Sequence, residues 1–313
     1  MLLSMRARGV SKDGQTETSP ALGPSRALRD TAAMPDQAAA PSYEITVEDV
    51  EYQRTGDQAL LARVYRPRGP GPFPALVDVH GGAWVNGDRL NNAALDEPLA
   101  RAGIVVAALD FRMPPAQPYP AAVADVHLGL RWLKANAARF GSEPGRVGAL
   151  GTSSGAQILF CAALKPDDPR YAALPGGGVF DARTAFLVSC WGVLDPTARY
   201  RMAQAKKIQR FLDAHTAFFG DEAVMDDGNP QRIVESGARN LPPALLIQGT
   251  ADDNLDHTIA DRFAETYRKA GGEAELHKFA GEPHMFITKA PTSPNSLAAL
   301  AQIADFVQRH GGL

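Results

Sequence analysis

Ser153 lies in Gly151-Thr152-Ser153-Ser154-Gly155, directly after the apolar run 147–150 and at the start of the helical pattern 154–164. A serine hydroxyl is a weak nucleophile at neutral pH and needs an adjacent base that a carboxylate orients. Gly-x-Ser-x-Gly between a strand and a helix suits that use. The tight turn holds the serine in strained backbone geometry, and small flanking residues let strand and helix approach closely. Ser154 is the rival hydroxyl, but its place after the nucleophile offers a backbone N–H to a developing oxyanion.

A serine on such an elbow takes its acid and then its base from loops that follow later strands. The run 244–248 ends in Gly249-Thr250-Ala251-Asp252-Asp253-Asn254, and 275–279 ends in Ala280-Gly281-Glu282-Pro283-His284-Met285-Phe286. Asp252 and His284 are therefore the expected acid and base. Asp253 is the local competitor, while Asp256 sits where a helix N-cap belongs and is given a structural role. His127, His215, His257, His277 and His310 fall in helices, the insert or a strand and are read as structural.

His80-Gly81-Gly82-Ala83-Trp84 follows the apolar run 75–79, and its glycines allow backbone N–H groups to turn inward. Gly82, Ala83 and Ser154 are the expected oxyanion donors, with His80 bracing the loop through hydrogen bonds. Trp84 is either a pocket wall or a core anchor. Trp84, Trp191 and Met285, beside these loops, are carried as candidate substrate-pocket residues.

These loops need a scaffold. Runs 45–52 and 60–65, separated by Arg54-Thr55-Gly56-Asp57, predict an opening hairpin. Strands at 75–79, 104–109, 146–150, 185–190, 244–248 and 275–279 alternate with helices at 93–102, 121–139, 154–164, 257–270 and 296–310. That is the rhythm of a doubly wound α/β fold with a mostly parallel, eight-stranded sheet covered on both faces. In helix 121–139, Val123, Val126, Leu130 and Leu133 form the stripe that packs on the sheet. The rhythm lapses over about 192–241, where helical pieces near 200–219 and 230–236 predict a cap insert walling the pocket.

The chain has 313 residues, 45% of them hydrophobic, and a formal net charge of −3. No basic stripe could track a phosphate backbone, so nucleic acid is not an expected partner. Cys161 and Cys190 lie in apolar stretches and imply no disulfide framework. Residues 1–40, rich in Ser, Thr, Ala, Pro and Gly, show no apolar period and read as a disordered extension before a catalytic domain over 41–313. The start lacks the apolar core of a secretory signal, and no stretch approaches the ~18 apolar residues of a membrane span, so the expected location is the cytoplasm, off the membrane. Phosphate-loop, dinucleotide-binding and His or Cys metal-ligand patterns are absent, and neither a cofactor nor a metal is expected.

Together, His80–Trp84, Gly151–Gly155, Asp252 and His284 resemble the hormone-sensitive-lipase-like branch of α/β-hydrolases, with its carboxylesterase, feruloyl-esterase-like and arylformamidase members. Asp110-Phe111-Arg112-Met113-Pro114-Pro115 is similar to that branch's Asp-Tyr-Arg-Leu-Ala-Pro segment. The third oxyanion-loop glycine of the family is Ala83 here, which retains the N–H. The resemblance implies hydrolysis of a small-molecule ester through an acyl-enzyme. Small or aromatic acyl groups are the expected preference because Lys206, Lys207, Asp213 and Asp221 interrupt the insert and leave no broad apolar lid. Amide or formamide hydrolysis on the same triad is the alternative, and a non-catalytic ligand-binding scaffold is another. The resemblance also leaves a homodimer open.

Overall fold

The computed structural model describes residues 42–312, and the expected disordered extension over 1–40 lies outside them. Strands β1 (Ile45–Thr55) and β2 (Gln58–Pro67) form the opening hairpin across Gly56, whose φ of +57° closes a two-residue turn. β2 pairs antiparallel with β4 (Val105–Leu109), and from there the sheet is parallel. β3 (Phe73–Val79), β5 (Ser142–Thr152), β6 (Leu187–Cys190), β7 (Ala244–Gly249) and β8 (Ala274–Phe279) complete the eight-stranded order β1-β2-β4-β3-β5-β6-β7-β8.

Every residue of β3 and β4 is buried, as a strand covered on both faces requires. Ala75, Val77 and Val79 share a core with Val126, Ile158 and Phe263, which belong to α2 (Ala121–Asn136), α3 (Ser154–Leu164) and α8 (Thr258–Lys269). Leu76, pointing the other way, joins Leu99 of α1 (Ala93–Arg101) and Ile303 of α10 (Pro294–Gly311). β4 and β5 flank β3 on opposite sides, so the loops leaving β3 and β5 diverge. A crevice opens at their carboxyl ends, where ligands bind in open α/β sheets.

Between β6 and β7 run α4 (Pro196–Ala205), α5 (Gln209–Phe219), α6 (Glu222–Asp227) and α7 (Pro230–Glu235). The helical piece expected over 200–219 is two helices, because Lys207 takes a left-handed φ of 55° and breaks it. α4 also starts earlier, where the Asp195 side chain accepts the Ala198 N–H as an N-cap. α6 and the four-residue α9 (Phe286–Lys289) are too short for an apolar period to register in the sequence.

A buried polar network ties the crevice together. Asp78 accepts two hydrogen bonds from Asn92 Nδ2 at 2.9 and 3.0 Å. Thr152 Oγ1 donates to Asn92 Oδ1 at 3.3 Å and accepts the Gly81 N–H at 2.9 Å. The carboxyl of Asp96, on α1, adjoins this network with neither oxygen hydrogen-bonded. Burial and the neighbouring Asp78 charge push the Asp96 pKa well up, and burial pushes Asp78 up to about 7.

Two tests follow from this packing. A Cβ on Gly155 would stand 2.1 Å from the Val79 carbonyl oxygen, whereas one on Gly145 meets nothing within 4 Å. Gly155→Ala is expected to lose about 1–3 kcal/mol in urea unfolding, and Gly145→Ala to stay within about 0.5 kcal/mol of wild type. The second test uses pH. A raised folded pKa means the folded state holds a proton that the unfolded chain releases above the ordinary value of 3.8. Asp96 therefore contributes most below that pH, and stability falls above it by up to about 1.4 kcal/mol per pH unit until the folded pKa is passed. Asp96→Asn should flatten the decline in unfolding free energy as pH rises from about 5 through neutrality. An unchanged slope would exclude a proton held there.

Candidate active site

Ser153 follows β5 at φ 50° and ψ −121°, outside the regions a non-glycine residue favours. Such a conformation carries about 1–3 kcal/mol of strain and persists only where its surroundings over-determine it. Here they do. The Ser153 N–H donates to the Cys190 carbonyl at 3.0 Å, and the Ser153 carbonyl accepts the Ala156 and Val193 N–H groups at 3.2 and 2.9 Å. The flanking glycines admit no side chain, since a Cβ on Gly151 would lie 2.6 Å from Ala156 Cα.

His284 Nε2 lies 3.0 Å from Ser153 Oγ, and His284 Nδ1 lies 2.8 Å from Asp252 Oδ2. A carboxylate only accepts, so Nδ1 carries the ring proton and Nε2 is left to accept the serine proton. The Asp252 side chain is fully buried and takes further hydrogen bonds from Gln248 Nε2 and from the Asn254 and Leu255 N–H groups, at 3.0, 2.9 and 3.1 Å. Burial alone would raise its pKa, but the hydrogen bonds, that of His284 foremost, hold it below the ordinary value. Asp253 is exposed, and Asp256 accepts the Thr258 N–H at 2.9 Å at the start of α8. The structure thus brings Ser153, Asp252 and His284 into one chain of hydrogen bonds and leaves both competing aspartates outside it.

The loop after β3 faces the same serine. A Cβ on Gly81 would lie 3.0 Å from Ser153 Cβ, and Gly82, Ala83 and Trp84 take φ values of 119°, 51° and 67°. His80 is buried with its ring stacked on Phe111, and its Nδ1 donates to the Gly81 carbonyl at 2.6 Å. The Val85 and Asn86 N–H groups close on the Gly82 carbonyl. Among the described residues no acceptor is found for the N–H groups of Gly82, Ala83 or Ser154. The Ser154 hydroxyl accepts the Trp84 N–H at 3.2 Å, which joins this loop to α3.

A cavity of about 310 Å³ opens over Ser153 and His284, lined also by Gly82, Ala83, Trp191 and Met285. Trp84 is not part of its wall, which corrects the pocket-wall reading. Its indole lies in the core, stacked on Phe218 at 5.3 Å, with Nε1 donating to Gln157 Oε1 at 2.8 Å. Of the six described non-glycine residues with positive φ, Ala83, Ser153, Trp191 and Met285 line this cavity, so backbone strain gathers here.

The insert completes the wall with Arg199 of α4 and Arg210, Phe211 and Ala214 of α5. Sequence reasoning missed both arginines, since nothing local in Pro196–Ala205 distinguishes a buried arginine from a solvated one. No carboxylate side chain is among the lining residues. The group of described residues close enough to share a cation is Glu273, Glu275 and His310, where Arg309 already pairs with Glu275 at 2.9 Å. No helix among the described residues is long and apolar enough to cross a membrane.

Comparison with known proteins agrees with this architecture. The model of a family described as the alpha/beta hydrolase fold matches residues 76–288. The esterase LipC of Mycobacterium tuberculosis is 31% identical over 68% of this chain and 53% of its own length. The carboxylic ester hydrolase LipN of the same organism is 28% identical over 86% of this chain and 72% of its own. The chain thus spans about half the length of LipC. A solved esterase of Pyrobaculum calidifontis superposes with a TM-score of 0.71 at 23% identity, covering 87% of each chain, which speaks for the fold. With two thirds of its length inside the family model, the chain belongs to the α/β-hydrolase fold family, in the hormone-sensitive-lipase-like branch it resembles.

Proposed function

We propose that this chain is a serine hydrolase of carboxylic esters working through an acyl-enzyme. The observation that carries the reading is the continuous relay from Ser153 Oγ through the His284 ring to the buried Asp252 carboxylate, opening on a cavity. Ser153 attacks the ester carbonyl while His284 Nε2 takes its proton, and Asp252 keeps Nδ1 protonated and the ring aligned. The tetrahedral oxyanion is met by the free N–H groups of Gly82, Ala83 and Ser154, each such donor being worth about 10²–10³ in rate. His284 returns the proton to the leaving alkoxide, and water, activated by the same imidazole, releases the acid.

The cavity supports small or aromatic acyl groups. Its volume of about 310 Å³ is at the lower end of ligand pockets, and Trp191, Phe211 and Met285 give it aromatic and thioether walls. The helices between β6 and β7 serve as the cap that walls it, with Phe211 contributed from α5. Matched ester and anilide substrates separate this reading from amide hydrolysis: an esterase is expected to lose several orders of magnitude on the anilide, and an amidase is not.

The deciding experiment treats the protein with a fluorophosphonate and locates the adduct by mass spectrometry, alongside p-nitrophenyl acetate and butyrate assays. One adduct on Ser153 is expected, with kcat lowered about 10⁶-fold in Ser153→Ala. Asp252→Asn, which keeps the shape but lets the wrong His284 tautomer form, should lower kcat about 10⁴-fold with little change in KM. Absence of both adduct and turnover would overturn catalysis and leave a ligand-binding scaffold.

A further inference from the structure

Arg199 is a large, fully buried side chain in the wall of the cavity that holds Ser153 and His284. Burying a guanidinium is costly unless a carboxylate or a full set of acceptors replaces its water. Arg199 has neither. Nε and Nη2 donate to the Asn254 carbonyl and Asn254 Oδ1 at 3.2 and 2.6 Å, whereas Nη1 is buried without a hydrogen-bond partner. Among the described residues no carboxylate lies within ion-pair distance of it. Asp252, whose charge it feels, already accepts from His284, Gln248, Asn254 and Leu255.

The rest of its surroundings keep the charge in place without neutralising it. The Phe211 ring lies 4.0 Å from the guanidinium carbon and the Trp84 ring 5.8 Å, both as cation-π neighbours. Desolvation lowers its pKa to about 10, so the group stays charged at neutral pH. Arg210, exposed beside the same cavity, has no ion-pair partner among the described residues and adds a second positive charge, with no acidic side chain in the lining to offset either.

Building on the esterase reading above, we propose that Arg199 binds a carboxylate carried by the substrate, with Arg210 attracting it at the rim, so that short esters bearing one free carboxylate are the preferred substrates. Asn254 takes the Nε N–H and one N–H of Nη2, leaving Nη1 as the nitrogen with no partner. That suits one carboxylate and falls short of what a dianionic phosphate demands. A cavity of about 310 Å³ accommodates a half-ester of a short dicarboxylic acid or an acylated hydroxy acid.

The test compares kcat/KM for monomethyl succinate with dimethyl succinate, and for O-acetylglycolate with its methyl ester, by titrating the released acid. Wild type is expected to favour the anion in at least one pair by about 10–100-fold, the range of a hydrogen bond to a charged group. The preference should shrink as salt is added. Arg199 also holds Asn254 in the loop of the acid, so Arg199→Met is read by the anion-to-neutral ratio within the variant, which should fall about tenfold to the remainder that Arg210 supplies, with partial recovery in Arg199→Lys. Should Arg199→Met fail to fold by circular dichroism, the wild-type ratios and the exposed Arg210→Gln, expected to lower the ratio several-fold, decide the matter. Neutral esters cleaved as well as the anions in both pairs, with Ser153 labelled by fluorophosphonate, would overturn the anion site and leave the esterase reading intact. No label and no cleavage of any ester would overturn both.

Discussion

The packing of α3 against the end of β3 at Gly155 is the contact on which the candidate site rests. With no side chain at that position, the helix comes to within van der Waals reach of the Val79 and His80 carbonyl oxygens. The nucleophile turn and the loop that begins at His80 become neighbours through backbone alone. Three hydrogen bonds then lock them: Gly81 N–H to Thr152, Thr152 to Asn92, and Trp84 N–H to the Ser154 hydroxyl. Each links the loop after β3, directly or through α1, to the residues on either side of Ser153. Neither half can shift by an ångström without breaking one of them, which is the precision that donors aimed at an oxyanion need.

That rigidity explains where the strain sits. Ala83, Ser153, Trp191 and Met285 adopt left-handed or rarer backbone conformations at the ends of β3, β5, β6 and β8, four strands whose carboxyl ends point to one place. A flexible loop would relax such residues. Here the parallel ladder fixes the strand ends, and residues that must turn sharply out of it are held by ladder-like bonds such as Ser153 N–H to Cys190 O and Trp191 N–H to Ile247 O. The sheet's stability, drawn from the apolar layers on its two faces, is what the site's geometry consumes.

Much of this was legible in the sequence because it depends on local pattern. Apolar runs bounded by glycine located the strands, and the small residues around Ser153 revealed the elbow, since only a near collision of strand and helix demands them. Asp256 could be set aside for a helix start, whereas nothing local separates Asp252 from Asp253, and only the fold puts one beside His284 and the other in solvent. What stayed hidden arises from tertiary packing. Trp84 could have faced the pocket or the core, and only the docking of α5, which brings Phe218 against its ring, decides for the core. Arg199 and Asn254 lie 55 residues apart and show no motif until α4 folds over the acid loop. Asp78 and Asp96 carry no local signal of burial, although both are almost wholly buried.

The two halves of the site therefore obey different constraints. Ser153, Asp252, His284 and the loop after β3 follow strand ends and are held largely by backbone bonds around Ser153 and Gly82. The insert contributes Arg199, Arg210, Phe211 and Ala214, side chains on short helices whose replacement alters the charge and shape of the cavity without moving the sheet. Chemistry and selectivity can thus vary separately on this scaffold. The junction between them is the hydrogen bond from Arg199 to Asn254, whose own N–H donates to Asp252. Through that residue α4 bears directly on the carboxylate that accepts from His284, so the helices between β6 and β7 are mechanically joined to the proposed site.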